Sequence, residues 1–299
     1  MMGEFLVFSF FSLLGLLFMI QAVRLESEEA AWSYAPWVLL LPSLCFWPSS
    51  VGKEGPMLLA LGLATYGYAR GWATRGGLYL ALGGTLALAI RPYVAAFLLA
   101  ALGMAEVLRR RGEAGKVRSL FVVSGAALAV SQVAQMYGVN AFEIEEVSEF
   151  VGAVTDMTAQ GGSQIDAVEG IASVPYGLVN VLFRPFLWEA SGFLGFLSAL
   201  ELALLWGFIW LRRREIRASL TLWSQRPTLR LGVSLTLMLA LGYGVSYFNL
   251  GILARQRTLI WPFLLMVLAI ESRVVTRSTQ VHGLVLPPEV SFARRQPTP

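Results

Sequence analysis

The feature that most constrains this chain is its succession of long apolar runs, separated by short polar or basic segments. A helix needs roughly 20 apolar residues to cross the hydrocarbon core of a bilayer, which is about 30 Å thick. The pattern therefore predicts an all-α, polytopic integral membrane helix bundle with about nine transmembrane helices, some of them short or broken by Pro or Gly. The predicted spans lie near residues 4–23, 35–47, 55–70, 76–90, 93–109, 119–137, 190–211, 231–248 and 259–272.

Composition excludes several other classes of protein. Hydrophobic residues make up 56% of the chain and charged residues only 14%, which leaves no room for a separate soluble domain. Cys45 is the single cysteine and His282 the single histidine, so we expect no internal disulfide, no metal site and no cofactor. The basic residues fall in short loops, where they set orientation, so no nucleic acid is expected as a partner despite a pI near 9.4.

The basic and acidic loops predict the orientation of the bundle. Residues 109–118 and 212–230 hold the densest groups of Lys and Arg, which the positive-inside rule places in the cytoplasm. The loop 138–175 between them carries acidic residues and no Lys or Arg, so it is predicted to be external, as a solvated loop or a mobile lid. Counting spans then places the N-terminus outside, and its abrupt start indicates further helices upstream. Residues 1–273 form the predicted bundle and 274–299 a disordered cytoplasmic tail.

Basic residues on the predicted external face work against this rule and are the candidate functional residues. Each lies near a Pro or Gly that breaks a helix, and charges close to the hydrocarbon boundary are costly unless they are paired or hydrated. Irregular backbone at that depth is tolerated only where protein buries it or water lines it. The sequence thus predicts a water-accessible external cavity that holds five cations, Lys53, Arg91, Arg184, Arg255 and Arg257.

The residue types in this set indicate phosphate chemistry. A guanidinium offers a planar fork of donors that fits phosphate oxygens, so the cluster is predicted to clamp a diphosphate. Glu54 and Glu189 are the nearby carboxylates that can act as a general base or orient an acceptor hydroxyl.

Structural interpretations of the same residues stay open. Glu54 can pair with Lys53 at a helix end, and Arg184 can pair with Glu189. Arg257 can extend to lipid head groups. The mid-span carboxylate of Glu201 can bind a buried arginine or serine, or belong to a proton path.

Four segments carry a resemblance to a known group of proteins. PSLCFWPSSVGKEG, RPYVAA, LFRPFLWEA and NLGILARQRTLIWPFLL, within residues 42–266, resemble recurring motifs of bacterial multi-pass membrane proteins of surface-polysaccharide biosynthesis. The wider similarity is to O-antigen and exopolysaccharide polymerases, and more distantly to GT-C glycosyltransferases that use lipid-linked donors. The resemblance implies the bacterial inner membrane as location and a polyprenyl-diphosphate-linked oligosaccharide as substrate, with other polysaccharide-assembly proteins as possible partners.

The resemblance also assigns roles to residues. The catalytic candidates stay Glu54 and Glu189, chosen as the carboxylates near the cations. Transfer would invert the donor anomeric carbon and release the lipid diphosphate, without a metal ion. Substrate binding would fall to Lys53, Arg91, Arg184, Asn249, Arg255 and Arg257.

Two rival functions stay open. A flippase or transporter of the lipid-linked glycan needs polar residues through the bundle, and the mid-spans are apolar apart from Glu201, Ser131 and Gln132. A non-catalytic subunit of a polysaccharide-synthesis complex would keep the fold and tolerate loss of the external arginines.

Overall fold

The computed structural model describes residues 2–71, 75–109, 113–141, 143–158, 164–165, 172–190, 192–223 and 225–269. Within these residues every regular element is a helix, which confirms the all-α class. The predicted tail 274–299 and much of residues 159–171 lie outside the described residues. The elements in chain order are α1 Met2–Arg24, α2 Glu28–Leu40, α3 Pro42–Phe46, α4 Glu54–Arg70, α5 Gly76–Ile90, α6 Pro92–Val107, α7 Glu113–Met136, α8 Ile144–Thr158, α9 Ser173–Phe183, α10 Gly192–Leu211, α11 Arg213–Leu220, α12 Pro227–Ser246, α13 Leu250–Gln256, a 3₁₀ turn Arg257–Leu259, α14 Trp261–Leu264 and a 3₁₀ turn Leu265–Leu268.

Length and apolar composition make part of this bundle compatible with a membrane. Among the described residues, three helices are long and apolar enough to cross one, namely Gly3–Arg24, Gly192–Leu211 and Pro227–Ser246. The segments Leu250–Leu259 and Trp261–Leu268, bent by 53°, make a fourth if they count as one broken span. Several other predicted spans form shorter helices, so the number of about nine crossings stays a prediction.

Prolines fix where several helices begin. Pro42, Pro92 and Pro227 each occupy the first position of a helix, where the missing backbone N–H costs nothing. Proline also disfavours the α conformation in the residue before it. Arg91 accordingly has extended backbone, with φ −148° and ψ 96°, and joins the end of α5 to the start of α6. The prediction that Arg91 lies at a helix end is confirmed.

The amphipathic helix α8 was not predicted. It lies within the predicted external loop 138–175, and its composition is too polar to stand out in a search for membrane-length apolar runs. The last predicted span was also placed too late, because α13 begins at Leu250 and the chain then bends near residue 260.

Glycines allow the helices of the bundle to approach one another closely. A Cβ at Gly62 of α4 would overlap the backbone of Gly15 of α1, and a Cβ at Gly177 of α9 would overlap the backbone of Gly244 of α12. Small residues at such contacts let helix backbones pack at short distance, which is how helices associate where lipid removes the hydrophobic driving force. These contacts hold α1, α4, α9 and α12 in place beside the candidate site.

Two adjacent glycines of α5 give a matched test of this packing. A Cβ at Gly83 would lie 2.5 Å from the carbonyl oxygen of Ala60 and 2.5 Å from the nitrogen of Ala64, whereas a Cβ at Gly84 meets nothing within 4 Å. We expect Gly83→Ala to lower the free energy of unfolding by about 1–3 kcal/mol through overpacking. Gly84→Ala should raise it by up to about 1 kcal/mol through helix propensity. Denaturant unfolding in detergent micelles measures both, and equal effects would contradict the close contact between α4 and α5.

Candidate anion-binding site

Four arginines converge where α4 begins, α5 ends and α9 ends, together with the broken segment that starts at α13. This end of the bundle is called the arginine end here. Arg91 and Arg184 are cap residues of α5 and α9, while Arg255 belongs to α13 and Arg257 begins the 3₁₀ turn after it. The sequence prediction that these segments share one end is therefore confirmed for all four arginines.

Glu54 connects two of these arginines. Its Oε1 accepts a hydrogen bond from Nη2 of Arg91 at 2.6 Å, and its Oε2 accepts one from Nη2 of Arg255 at 2.6 Å. The Glu54 side chain is fully buried, and Arg91 also donates to Oε1 of Gln256 at 2.5 Å. The alternative in which Glu54 pairs with Lys53 is wrong, since Lys53 is an exposed N-cap residue and both Glu54 oxygens bind arginines. Because both oxygens are engaged, Glu54 is placed to position Arg91 and Arg255.

Arg184 and Glu189 form a second ion pair in the segment between α9 and α10. Nε of Arg184 donates to Oε2 of Glu189 at 2.9 Å, and Nη2 lies 2.8 Å from Oε1, which is the bidentate arrangement. Nη1 donates to the hydroxyl of Tyr176 at 3.3 Å and to Oδ1 of Asn180 at 3.2 Å. This confirms the predicted internal pairing of Arg184 with Glu189.

The pairing also sets the proton affinity of the Glu189 carboxyl. Partial burial would by itself raise its pKa, but the hydrogen bonds from Arg184 and from the backbone N–H of Phe186 outweigh burial and lower the pKa below its ordinary value. A carboxylate with a lowered pKa is a weak base at neutral pH. Any base role for Glu189 therefore requires that a ligand draw Arg184 away from it.

Arg257 differs from Arg91, Arg184 and Arg255 because it forms no ion pair with any carboxylate of the described residues. Its side chain is 2% exposed and donates to the backbone carbonyl oxygens of Asn180, at 3.4 Å, and Arg184. Its Nε and the Nδ2 of Asn180 are buried without a partner among the described residues, and no carboxylate of that part of the chain lies within ion-pair distance. The guanidinium carbon stands 5.7 Å from the ring centre of Trp261. The hypothesis that Arg257 extends to head groups is wrong, because protein covers it.

Glu201 interacts electrostatically with Arg257, but its carboxylate is hydrogen-bonded to Ser43. Its Oε2 accepts from the backbone N–H of Ser43 at 3.0 Å and its Oε1 from the Ser43 hydroxyl at 2.5 Å. The interaction with Arg257 is electrostatic and acts over a longer distance. The predicted pairing of Glu201 with a serine is confirmed, and Nε of Arg257 stays buried without a hydrogen-bond partner among the described residues.

Asn249 has a structural role in this structure. It is the N-cap of α13, and its Oδ1 accepts from the backbone N–H groups of Gly251 at 2.9 Å and Ile252 at 3.2 Å. Asn249 also forms an isolated bridge with Gln164, so a piece of the predicted external loop packs against the start of α13. The predicted contact of Asn249 with substrate stays a prediction.

Exposure divides the cations into an outer and an inner group. Lys53 is exposed and the Arg255 side chain is 39% exposed, whereas Arg91 and Arg257 are buried and Arg184 lies between these extremes. The predicted open cavity is thus closed over its inner arginines. An anion that approaches from solvent therefore meets Lys53 and Arg255 before the buried arginines.

Gly52 keeps room for the ion pair of Arg255 and offers a test of it. A Cβ at Gly52 would overlap Nη2 of Arg255 and lie 2.7 Å from Oε2 of Glu54. Gly52→Ala should push Arg255 off Glu54 and lower the free energy of unfolding by about 1–3 kcal/mol. In an Arg255→Gln background the same change should cost less, which a double-mutant cycle measures in detergent. An equal cost in both backgrounds would show that Gly52 has another role.

Sequence reasoning missed three polar residues at this site. Gln256 is hydrogen-bonded to Arg91, while Tyr176 and Asn180 are hydrogen-bonded to Arg184. The signal for Gln256 is its position between two candidate arginines. Asn180 and Tyr176 lie one and two helical turns before Arg184.

The site as a whole is a net-positive cluster that several separate segments build. Among the described residues of the site, five cations stand against two carboxylates, which leaves an excess of three positive charges there, or two if Glu201 is also ionised. Such an excess in a partly buried place is balanced most directly by a bound anion. No protein-family model, curated protein or solved structure matches the chain.

Proposed function

We propose that this chain is a membrane glycan polymerase or glycosyltransferase of surface-polysaccharide synthesis, acting at the external face on a polyprenyl-diphosphate-linked sugar. In this proposal the helices cross the membrane about nine times and the arginine end faces outward. The observation that carries the proposal is the buried guanidinium of Arg257, which has no carboxylate partner among the described residues. The resemblance of its segment to polymerase motifs points to the same kind of substrate.

Charge selects the class of ligand. Burying an unpaired cation is costly, so a site that keeps one in the ligand-free state gains when an anion binds. The excess of two to three positive charges is suited to a diphosphate diester, and guanidinium forks fit its oxygens. In this proposal the head group binds at the arginine end, and the polyprenyl chain extends along the apolar helices into lipid.

The proposed reaction uses the arginines to stabilise the leaving group. An acceptor hydroxyl oxygen forms a bond to the donor anomeric carbon, and the bond from that carbon to the diphosphate oxygen breaks with its electron pair. Arg255, Arg257 and Arg184 then hold the charge that develops on the diphosphate. Glu189, which is more exposed than Glu54, takes the acceptor proton once the diphosphate draws Arg184 away from it.

The proposal is tested by the lipid-linked intermediates of the organism that encodes the chain. The gene is deleted, lipids are extracted, and mass spectrometry is combined with labelling of the external face. Complete repeat units that accumulate outside support a polymerase, and a truncated repeat supports a transferase that adds one sugar. Complete repeats trapped inside the membrane would mean a flippase, and an unchanged glycan profile would remove this function.

One observation favours a second function, that of a binding subunit without its own chemistry. Both oxygens of Glu54 and both oxygens of Glu189 accept hydrogen bonds from arginines, so neither carboxylate is a free base in this structure. Glu189→Gln separates the two functions in cells that carry the variant gene. An enzyme that uses this base should lose about 10²–10⁴-fold in rate, whereas a binding subunit should support normal polymer.

A further inference from the structure

A second polar site lies beside the arginine end, between the end of α7 and the start of α8. It is an open groove of about 450 Å³, within the usual range of small-molecule sites. Its lining residues are Ser131, Gln135, Gly138, Val139, Asn140 and Glu146. None of the residues predicted to bind substrate lines this groove.

We propose that this groove binds the neutral-sugar part of the substrate, an inference that rests on the proposed function above. The lining offers a hydroxyl, two amides and a carboxylate, with no cation. Sugar hydroxyls both donate and accept hydrogen bonds. Amide side chains offer donors and acceptors, and carboxylates offer acceptors. The Glu146 carboxylate repels phosphate, so the lining favours the uncharged sugars over the diphosphate. The open side of the groove leaves space for a glycan that extends past it.

The backbone of the groove is held in place by local hydrogen bonds. Gly138 has a φ of +73°, which is suited to glycine, and it ends α7 by donating its N–H to the carbonyl oxygen of Gln135 at 2.9 Å. The backbone N–H of Asn140 donates to Oε2 of Glu146 at 2.6 Å, and the Asn140 side-chain Nδ2 donates to Oε1 of Glu143 at 2.9 Å. A groove fixed in this way binds a ligand with a smaller ordering cost.

Two polar groups of the groove keep capacity for a ligand. The Gln135 side chain is exposed, and no partner for its amide is found within the described part of the chain. Glu146 accepts the Asn140 N–H through Oε2, which leaves Oε1 for a second donor. The amide of Gln135 on α7 and the carboxylate of Glu146 on α8 both line the groove. Together they suit the vicinal hydroxyls of a pyranose, because the amide donates and accepts and the carboxylate accepts.

Tyrosines connect the groove to the arginine end. Tyr137 lies in the chain between the groove residues Gln135 and Gly138. It is 40% exposed, and its hydroxyl interacts with the backbone N–H of Tyr93. Tyr93 lies two positions after Arg91 and interacts through its own hydroxyl with Tyr247. A sugar in the groove would therefore lie next to a row of tyrosines that leads to the arginines, as a sugar joined to a bound diphosphate requires.

The test uses the full chain in lipid nanodiscs and two separate probes. A printed array of phosphate-free neutral oligosaccharides finds a binder, and the best one is titrated against the wild type and the variants. Farnesyl diphosphate is titrated in parallel as the diphosphate probe. Gln135→Ala is the main variant, and Gln132→Ala is its matched control, because Gln132 is also an exposed glutamine of α7 but lies outside the groove.

We expect Gln135→Ala to weaken oligosaccharide binding about tenfold or more, the equivalent of about 1.4 kcal/mol, and Gln132→Ala to leave it unchanged. Glu146→Gln keeps the shape of the side chain and should also weaken binding, which keeps the test informative if one variant fails to fold. Arg257→Gln should bind the oligosaccharide like the wild type. Absence of any array binder, or equal losses in Gln135→Ala and Gln132→Ala, would overturn the inference.

The two probes distinguish failure of this inference from failure of the proposed function. If farnesyl diphosphate does not bind but the oligosaccharide does, the proposed diphosphate chemistry fails and the groove stands as a glycan site. If farnesyl diphosphate binds and no oligosaccharide does, the groove inference fails alone.

Discussion

Replacing Glu54 with glutamine is expected to lower the free energy of unfolding by about 3–5 kcal/mol. The carboxylate is fully buried and accepts hydrogen bonds from Arg91 and Arg255, both at 2.6 Å. In the variant, the amide oxygens of residue 54 and Gln256 are neutral acceptors, and no carboxylate of the described residues is left to balance the buried guanidinium of Arg91. Removing one member of a buried pair leaves an uncompensated charge, and this residual charge is the source of the cost. Unfolding of purified protein by SDS titration in detergent measures it.

Glu189→Gln is the matched control for this prediction. It removes the same kind of arginine pair, but the side chains of Arg184 and Glu189 are 19% and 23% exposed, so water replaces part of the interaction. We expect a loss of about 0–1 kcal/mol. The double variant Glu54→Gln with Arg91→Gln should recover part of the stability lost in Glu54→Gln alone. If Glu54→Gln costs no more than Glu189→Gln, Glu54 does not anchor the arginine end.

Arg257→Gln is expected to weaken the binding of farnesyl diphosphate about 10–150-fold without lowering stability. Charge-assisted hydrogen bonds contribute about 1.5–3 kcal/mol each, and about 1.4 kcal/mol corresponds to a tenfold change in affinity. Stability should be kept because the ligand-free protein carries the Arg257 charge at a cost, with Nε buried and unpartnered within the described residues. A residue that serves ligand binding at the expense of the free protein shows this combination of effects. Calorimetric titration and denaturant unfolding of the same sample measure both.

Arg230→Gln is the control for this second prediction. Arg230 is also 2% exposed and also donates to backbone carbonyl oxygens, those of Ala105 and Trp223, both at 3.2 Å. It packs against the end of α6, away from the arginine end, so farnesyl diphosphate should bind Arg230→Gln like the wild type. Equal losses of affinity in the two variants would show that burial of an arginine matters and its position does not. Full affinity in Arg257→Gln would remove Arg257 from the site.

The predicted helix positions depended on two signals that act locally. Apolar runs of sufficient length placed α1, α5, α10 and α12 within a few residues of where they lie, and proline fixed the extended backbone of Arg91. Helix α8 escaped prediction because its hydrophobic residues alternate with acidic ones and form no continuous run. The number of membrane crossings was not settled by these signals, because short and bent helices satisfy length criteria only in part.

The candidate site was only partly accessible to sequence reasoning. Neighbouring helix breakers, together with the predicted orientation of the bundle, identified all four arginines. Arg184 has its carboxylate partner Glu189 five positions away, and that pairing was predicted. The carboxylate that Arg91 and Arg255 share is distant in sequence from both, and nothing local reveals it. Glu54 lies 37 positions from Arg91 and 201 from Arg255, and Glu201 binds Ser43 across 158 positions. The pairing with Lys53, the adjacent residue, was the wrong alternative for this reason.

The sequence by itself determined that this chain forms apolar helices, where several of them begin and end, and which cations gather at one end. Apolar content, proline and charge act through neighbouring residues and the surrounding medium, so they can be judged from the order of residues alone. Only the tertiary structure decided that Glu54 holds two arginines, and that Arg257 is buried with no carboxylate of the described residues within ion-pair distance. The polar groove between the end of α7 and the start of α8 was likewise visible only there. These features join residues that are far apart in sequence, so they follow from how the helices pack in three dimensions, including the close glycine contacts of α1 with α4 and of α9 with α12.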